Sequence, residues 1–591
     1  MPKSYRVTNV TIEDLLSWIK QGIIALPEMQ RPFVWSSSKV RDLIDSLYNG
    51  YPIGYIVTWQ NPTANLKDKT TSENKKIIID GQQRLTALKA ALDGEKIITK
   101  QYESERIAIS FKPSTEEFAT LNAAIKKDPL WINDIAQFFN VNYSSFSYIT
   151  ENAERLKMEP DKLGRILQKL SLIQQAEIGN IELDSRLSLN EVTDIFNRLN
   201  STGISLSSAD LVMSRLSADK DHGGNNLRKQ IDYFVQLIND PTLLSNIKKL
   251  DPEFCQSSDF ESINWIANEE NPIYNPNYSD LLHVILAVGT HRGKLSDMVS
   301  LISGRNFEKR NYSEESLENN YKRIKFGADK VFNKSNYQRY LMILRDMGMR
   351  NSKKLGLVGH GALNFGYIFY LFLSIHTNFS KTEIDSYVKR WIVMSALTGR
   401  YSGSSETVIE SDLRLFSDEK QIDSVIEQTL SQALSDDFWS ATLPENLNKQ
   451  STQSSGWRVF QMAQTYSQDT SWLSKDTSVE TVMLEEGNIH HIFPRAYLKR
   501  HGFSKGRINQ IANFVWITQP KNLEIKDNPP KEYLHDAGVT KFETEHNNKA
   551  NAMPAELSSY DYHDYDRFLE QRRHLMAKKI KDYYSSLQNI Q

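Results

Sequence analysis

Within about the first 110 residues, hydrophobic and polar positions follow two patterns, one typical of helices and one typical of strands. The segment TIEDLLSWIKQG repeats its apolar residues at helical spacing, and SSSKVRDLIDSLYNG predicts a second helix that opens on serine caps. The runs YIVTW and KKIIID have the apolar, β-branched character of strands. The pattern therefore predicts an N-terminal region in which strands and helices alternate.

Helical spacing dominates the rest of the chain as far as about residue 445. Amphipathic segments recur there, among them NEVTDIFNRLN, SADLVMSRL, DLLHVILAV and YVKRWIVMSAL. The polar stretch NLNKQSTQSS, residues 446–455, has the composition of a linker or exposed loop. We predict an α+β protein that is mostly helical, with an α/β domain at 1–240, a helical middle region at 241–445 and a last domain at 456–591.

Composition places the chain among large water-soluble proteins. Its 591 residues are too many for one hydrophobic core, and its longest apolar stretches, Tyr367–Leu373 and Leu282–Val288, are far shorter than a bilayer span of roughly 18 residues. The N-terminus turns polar where a signal peptide needs an apolar segment, so we expect a cytoplasmic protein without a membrane partner. Cys255 is the one cysteine, which excludes an internal disulfide and a cysteine-based zinc site.

Basic residues cluster in two places although the net charge is only -2. Nucleic-acid binding therefore requires local patches rather than the charge of the whole molecule. Residues 487–510 contain no acidic residue, and their cations are candidate DNA contacts: Arg495, Lys499, Arg500, Lys505 and Arg507. A second basic cluster lies near the C-terminus: Arg572, Arg573, Lys578, Lys579 and Lys581.

Two adjacent histidines, His490 and His491, lie in the short apolar run IHHIFP. Adjacent residues on a strand face opposite ways, so one imidazole can bind a cation while the other removes a proton from water. Asn513 precedes the strand-like run FVWIT and is suited to hydrogen-bonding the histidine loop, whereas Asn522 can offer a carbonyl oxygen to a hard cation. The alternative is a partly buried pair of polar aromatic residues with no chemistry.

The order HHIFP, an asparagine before a hydrophobic strand and a second asparagine nine positions later resembles the HNH, or ββα-metal, nuclease motif. The resemblance implies that His490 and Asn522 bind a divalent ion, Mg²⁺ or Mn²⁺, that His491 is the general base, and that Asn513 completes the catalytic set. Many HNH enzymes have Asp or Glu at the position of His490, and several have histidine there.

A second candidate site lies in IIIDGQQRLTAL. Asp80 ends an apolar strand, Gly81 makes a tight turn, and a helix is predicted to begin near Arg84 or Leu85, which is an arrangement that favours phosphate. Gln82 and Gln83 can orient polar groups, and the chain contains no GxxxxGK[ST] phosphate loop. The alternative is an ordinary strand, turn and helix in which the aspartate is only a cap.

Three segments, QRPFVW, IIIDGQQRLTAL and FNRLNSTGISLSSADL, together resemble the ParB/sulfiredoxin-like domain of GmrSD-type, or type IV, restriction systems. YSGSSETVIESDL, residues 401–413, also resembles a segment of that family, but we assign it no chemistry. The resemblance implies a ParB-like domain at 1–240 that binds or hydrolyses an NTP through Asp80 to Arg84 together with Gln30 and Arg31. It also implies a C-terminal HNH endonuclease domain that cuts modified phage DNA in anti-phage defence.

Two other functions are compatible with these motifs. One is a nucleotide-regulated DNA-binding protein whose HNH fold is inactive, and the other is an HNH toxin or RNase. Because one HNH site cuts one strand at a time, we also expect a homodimer or sequential nicking of double-stranded DNA. Neither the base modification, nor the preferred NTP, nor the direction of nucleotide control follows from the sequence.

Overall fold

The computed structural model describes residues 5–25, 33–60, 76–99, 102–140, 143–187, 191–192, 195, 207–219, 221–269, 273–350, 359–416, 421–486, 489–536 and 545–588. The chain forms two compact units, residues 1–267 with 295–325 and residues 268–294 with 326–591. It is mostly helical with a mixed sheet near the N-terminus, so the predicted α+β class is confirmed. The three predicted domains at 1–240, 241–445 and 456–591 remain predictions.

A five-stranded mixed sheet organises the first unit. Its strands are β1 (Tyr5–Thr11), β2 (Ile24–Ala25), β3 (Tyr55–Gln60), β4 (Lys76–Asp80) and β9 (Glu177–Leu183), in the spatial order β1-β9-β3-β4-β2. β9 pairs antiparallel with β1 and parallel with β3, while β4 pairs antiparallel with β3 and parallel with β2. Three antiparallel hairpins also belong to this unit: β5–β6 (Ile97–Ile98, Ser104–Glu105), β7–β8 (Ile109–Lys112, Glu117–Thr120) and β10–β11 (Arg305–Asn306, Asn311–Tyr312).

Eleven numbered helices precede residue 268 within the described ranges. In chain order α1 to α11 are Ile12–Lys20, Ser37–Tyr48, Gln82–Leu88, Ala123–Lys127, Ile135–Phe138, Ser145–Asn152, Pro160–Ser171, Ser208–Ala218, Gly224–Asn239, Leu244–Leu250 and Ser258–Asn264.

Local sequence explains why α1 and α2 form where they were predicted. The side chains of Thr11 and Ser36 accept backbone N–H groups of the first turns and so supply partners that a helix end lacks. Their apolar faces pack on the sheet in one core, where Leu15 of α1, Ile44 of α2 and Ile56 of β3 have no exposed surface. Burial of these faces stabilises both helices.

The remaining helices, α12 to α28, begin at residue 278. In chain order they are Tyr278–Thr290, Leu295–Leu301, Glu314–Val331, Lys334–Asp346, His360–His376, Lys381–Thr398, Ser405–Leu415, Ile422–Ala433, Leu443–Asn446, Ser455–Tyr466, Val479–Thr481, Arg495–Arg500, Lys505–Ile508, Gln519–Ile525, Pro530–Tyr533, Glu545–Ala550 and Tyr565–Ser586.

Buried helices form the core of the second unit. The apolar stretches 282–288 and 367–373 lie in α12 and α16 and are buried, as the sequence predicted. Buried tyrosines pack between the helices, and their hydroxyls are satisfied: Tyr340 and Tyr367 donate to the carbonyls of Leu363 and Val331. Within the described ranges, no helix is both long and apolar enough to cross a membrane.

Candidate functional site

The turn at Gly81 connects β4 directly to α3. Gly81 has φ +98°, a left-handed conformation that favours glycine, and a Cβ atom there would lie 2.7 Å from Cγ2 of Ile56. The carbonyl of Gly81 accepts the backbone N–H of Leu85, so α3 begins at Gln82 rather than near Arg84 as predicted. The glycine itself caps the helix, which explains the earlier start.

Arg84 is fixed at the end of β3 and is half-buried. Its Nη1 donates to the backbone carbonyl of Tyr55 at 2.6 Å, and Gly54 leaves room for the guanidinium because a Cβ there would lie 3.2 Å from Nη2. Burial lowers the pKa of Arg84, and the charge of Asp80 partly opposes that shift. The strand end therefore holds a cation beside Asp80.

Gln83 joins two of the motifs that the sequence singled out. Its Oε1 accepts the backbone N–H of Val34 at 3.0 Å, so the PFVW segment lies against the DGQQR turn. Nε2 of Gln82 lies 3.5 Å from the carbonyl oxygen of Ile78. Gln30 and Arg31 lie outside the described residues.

The third N-terminal motif is described only from Ser207 onward. Residues 196–206, including Phe196, Asn200, Gly203 and Leu206, lie outside the described residues. Ser207 caps α8 and exchanges hydrogen bonds with Asp210 in a capping box. The helix predicted for SADLVMSRL therefore begins at Ser208.

The two adjacent histidines lie on a short strand, β12 (Ile489–His491), that pairs antiparallel with β13 (Phe514–Trp516). His490 lies opposite Val515 and His491 opposite Phe514. Regular strand geometry turns neighbouring side chains to opposite faces, as the sequence argument required. The helix α25, with Asn522 half-buried at its middle, follows β13 and completes the ββα order that the HNH resemblance implies.

Asn513 fixes the loop that follows the histidines. The residue is fully buried, and its Oδ1 accepts the backbone N–H of Phe493 at 2.8 Å. Its Nδ2 donates to the carbonyls of Phe493, at 3.2 Å, and Ile508, at 3.1 Å. These are the loop contacts predicted for Asn513; its membership of a catalytic set remains a prediction.

His491 has a hydrogen-bond partner that the sequence did not reveal. Its Nε2 lies 3.0 Å from Oδ1 of Asn509, and its ring packs edge-on against Phe514. Because an amide oxygen only accepts, the contact assigns the proton of the neutral ring to Nε2 and leaves the lone pair on Nδ1. Burial lowers the pKa of His491, the bond to Asn509 raises it, and Arg495 lowers it again.

The neutral form of His491 is therefore favoured, with a lone pair suited to accepting a proton. Asn509 gave no separate signal in the sequence beyond being an amide in the segment free of acidic residues. Among the described residues, no group of three or more His, Cys, Asp and Glu side chains could hold a metal ion. The predicted ligands, the imidazole of His490 and the amide of Asn522, do not form such a group, and their role as metal ligands remains a prediction.

The basic segment after the histidines forms two short helices, α23 and α24. All five predicted DNA contacts are exposed. Arg500 forms an ion pair with Asp527, and Arg507 forms one with Asp566. Arg495, Lys499 and Lys505 form no ion pair with any residue in the described ranges, so their charges are the ones most available to a phosphate backbone.

Most cations of the second basic cluster have partners within the fold. Arg572 is 1% exposed and donates to the carbonyls of Ala512, Phe514 and Asn551, and burial lowers its pKa to about 9. These hydrogen bonds hold β13 against α28. The three lysines of the cluster are also engaged, because Lys578, Lys579 and Lys581 form ion pairs with Asp582, Asp469 and Asp436.

The YSGSSETVIESDL segment serves packing in the second unit. The Tyr401 hydroxyl donates to Asp412 and accepts the indole N–H of Trp391, and Arg400 pairs with Asp412. Glu406 contacts His283 at 2.9 Å. Much of its polar chemistry is used inside the fold, which accounts for a motif to which we could assign no reaction.

Two comparisons with known proteins found similarity, one to the N-terminal part of the chain and one to most of its length. Residues 12–217 match the family model described as GmrSD restriction endonuclease, N-terminal domain. This range contains the DGQQR turn, the PFVW segment and the start of α8. The chain is also 22% identical to the uncharacterized protein MJ0686 of Methanocaldococcus jannaschii, over 88% of this chain and 86% of that one.

Proposed function

We propose that the protein is a metal-dependent DNA endonuclease of the modification-dependent, type IV restriction kind, with nucleotide binding or hydrolysis in its N-terminal domain. The observation that carries the proposal is the contact between His491 and Asn509 on the β12–β13 hairpin. It fixes the tautomer of the imidazole, with the proton on Nε2 and the lone pair on Nδ1, and burial favours the neutral form that a general base needs. The family match of residues 12–217 supports the restriction context.

The hydrolysis would proceed through His491. Its Nδ1 removes a proton from a water molecule, and the water oxygen attacks phosphorus as the P–O bond to the leaving strand breaks. Asn509 keeps the other ring nitrogen protonated throughout, and Asn513 holds the loop that follows the strand. The base is thus positioned before DNA binds.

His490 and Asn522 are the residues that would hold a divalent ion. An imidazole nitrogen and an amide oxygen, together with waters and phosphate oxygens, suit Mg²⁺ or Mn²⁺. When bound, such an ion stabilises the negative charge that develops on the scissile phosphate. Strand geometry keeps His490 on the face opposite His491, so one imidazole does not compete for the other's role.

Double-stranded DNA is the substrate that the charge distribution favours. Arg495, Lys499 and Lys505 are exposed on the segment that directly follows the histidines. Such cations release counterions from a phosphate backbone and make binding depend on salt. Duplex DNA carrying modified bases, as in phage, is the proposed target.

The DGQQR turn is the proposed nucleotide site. Arg84 supplies a half-buried cation, Gly81 allows close approach of the backbone, and Asp80 ends the neighbouring strand. Gln82 and Gln83 orient polar groups, and Gln30 and Arg31 are proposed to join them. The preferred NTP and the direction of control are left to experiment.

A cleavage assay on phage DNA tests the proposal as a whole. Unmodified DNA and DNA with modified bases are incubated with the protein and Mg²⁺ or Mn²⁺, without nucleotide and with each NTP. We expect preferential cutting of modified DNA and a nucleotide response that Arg84→Ala removes. Binding without cutting would instead fit a DNA-binding protein with an inactive HNH fold, and preferential cutting of RNA would fit an RNase.

A further inference from the structure

Arg495 differs from the other cations of the basic segment in its place next to the candidate base. It follows His491 by four positions, begins α23 and is exposed. Among the described residues it has no ion-pair partner, whereas Arg500 and Arg507 each pair with an aspartate. Arg495 is therefore a cation close to His491 in sequence whose charge is available to a ligand.

Hydrogen bonds hold the backbone that follows the candidate base. The N–H of Ile492 donates to the carbonyl of Asn513 at 2.9 Å, and the carbonyl of Ile492 accepts the hydroxyl of Tyr533 at 3.0 Å. The N–H and the carbonyl of Phe493 both bond to the side-chain amide of Asn513, at 2.8 and 3.2 Å. All four polar backbone groups of these two residues have partners.

Pro494 completes the connection between the base and α23. Its ring restricts φ, and its carbonyl accepts the backbone N–H of Leu498 at 3.1 Å in the first turn of the helix. The residues 492–494 are all buried. The backbone of Arg495 is therefore fixed relative to His491 before DNA binds.

The charge of Arg495 also reaches the candidate base. The guanidinium contributes to lowering the pKa of His491, so the two side chains lie within electrostatic range of each other. The phosphorus that is attacked must lie beside the water that His491 activates. A cation held near this base therefore meets the phosphate that reacts.

We propose that Arg495 is a catalytic residue that binds a non-bridging oxygen of the scissile phosphate. The inference rests on the proposed nuclease function and adds to it a residue outside the HNH motif. The guanidinium carries its donors in a planar fork that matches phosphate oxygens. It donates hydrogen bonds and transfers no proton, because His491 takes the proton of the attacking water as the P–O bond to the leaving strand breaks.

The role of Arg495 differs from that of the lysines in the same segment. Charge on the scissile phosphate changes as the water attacks, so a donor fixed at this phosphate acts on the transition state and raises kcat. Lys499 and Lys505 contribute to DNA binding at flanking phosphates, whose charge does not change during the reaction. Their effect is expected mainly on affinity.

Two measurements on the full chain separate catalysis from binding. Single-turnover nicking of supercoiled plasmid that carries modified bases gives the rate at saturating DNA, in Mg²⁺ or Mn²⁺ with each NTP. Fluorescence anisotropy with a duplex in EDTA gives the affinity. The variants are Arg495→Ala, Arg495→Lys and Lys499→Ala. Arg165→Ala is the matched control, because it removes the same charge from an exposed position of α7.

We expect Arg495→Ala to lower the rate at saturating DNA about 100-fold, as removal of a transition-state donor does. Its loss of affinity should be no larger than that of Lys499→Ala, whose loss of rate should be at least about 10-fold smaller. Arg495→Lys should restore only part of the rate, because an ammonium keeps the charge without the fork. Arg165→Ala should match the parent, and thermal unfolding should show all four variants folded.

A folded Arg495→Ala protein with the parental rate at saturating DNA would overturn the inference. Equal losses of rate in Arg495→Ala and Lys499→Ala would also overturn it, because Arg495 would then be one DNA contact among several. A parent protein that cuts no DNA would overturn the proposed function and this inference with it. The two failures are therefore distinguishable.

Discussion

At the scale of single residues, two buried or half-buried amides prepare the candidate base. Asn513 was identifiable from the sequence because it stands before an apolar strand at the spacing of the HNH motif. Asn509 was not, because its contact with His491 depends on where the loop folds back after α24. The position of Arg572 in a basic cluster was also misleading, because tertiary contacts bury its side chain against β13.

Removing the Asn509 amide tests its role as a positioning residue. In Asn509→Ala, Nε2 of His491 loses its acceptor and the proton is free to occupy either ring nitrogen. We expect kcat to fall about 10- to 100-fold with little change in KM, as for other residues that orient a catalytic group. Asn509→Asp keeps an acceptor oxygen and should restore much of the loss. Equal losses in both variants, or a change confined to KM, would contradict this role.

His222 gives the first unit a pH dependence. When protonated, its ring donates through Nδ1 to Asp219, 2.8 Å away, and through Nε2 to Glu314, 3.2 Å away, and it stacks on Tyr321. Burial alone lowers the pKa of His222, but the two carboxylates raise it above the ordinary value of 6.5. This stabilisation is present below that ordinary value and is lost as pH rises through the folded-state pKa.

The pH dependence is measurable by comparison with His222→Gln. We expect the variant to lose more unfolding free energy relative to the parent at pH 6 than at pH 9, because only the protonated ring attracts both carboxylates. Urea unfolding at the two pH values measures the difference. A penalty that stays constant, or grows toward pH 9, would show that the ion pairs do not stabilise the fold.

At the scale of elements, local signals predicted local structure and failed where partners are distant in sequence. Apolar spacing placed α1, α2 and α8, serine caps marked the start of α2, and β-branched runs placed β3 and β4. The sheet order could not be predicted from the sequence. β1 pairs with β9 across about 170 residues, and the sequence of neither strand indicates which strand it pairs with. The β4–α3 turn was partly predictable. The sequence indicated a tight turn at Gly81, but it did not indicate the close approach of Gly81 to Ile56.

Substituting Gly81 separates backbone strain from crowding. Gly81→Ala requires a positive φ and forces Cβ against Ile56, whereas Gly22→Ala requires a positive φ with no atom within 4 Å. We expect a cost of about 1 kcal/mol for Gly22→Ala and about 2–4 kcal/mol for Gly81→Ala, with loss of the nucleotide response in the latter. Urea unfolding measures both. Equal costs would mean that the close approach to Ile56 does not matter.

At the scale of the whole molecule, the proposal joins a nucleotide site in the first unit to a nuclease site in the second. The family match supports the restriction context and ends at residue 217, so each proposed site depends on the chemistry of its own residues. The sequence predicted the order of elements in that hairpin because strand and helix signals are local. It could not predict which charges remain available for DNA, because ion pairing of Arg500 and Arg507 is set by tertiary contacts.

The most direct measurement is nicking of supercoiled plasmid that carries modified bases by the parent protein, His491→Ala and His574→Ala, in Mg²⁺ or Mn²⁺ and with each NTP. His574 is an exposed histidine of α28 and serves as the matched control. The account predicts cutting by the parent and by His574→Ala, and a rate at least about 100-fold lower for a folded His491→Ala. A His491→Ala protein that cuts as fast as the parent would contradict it.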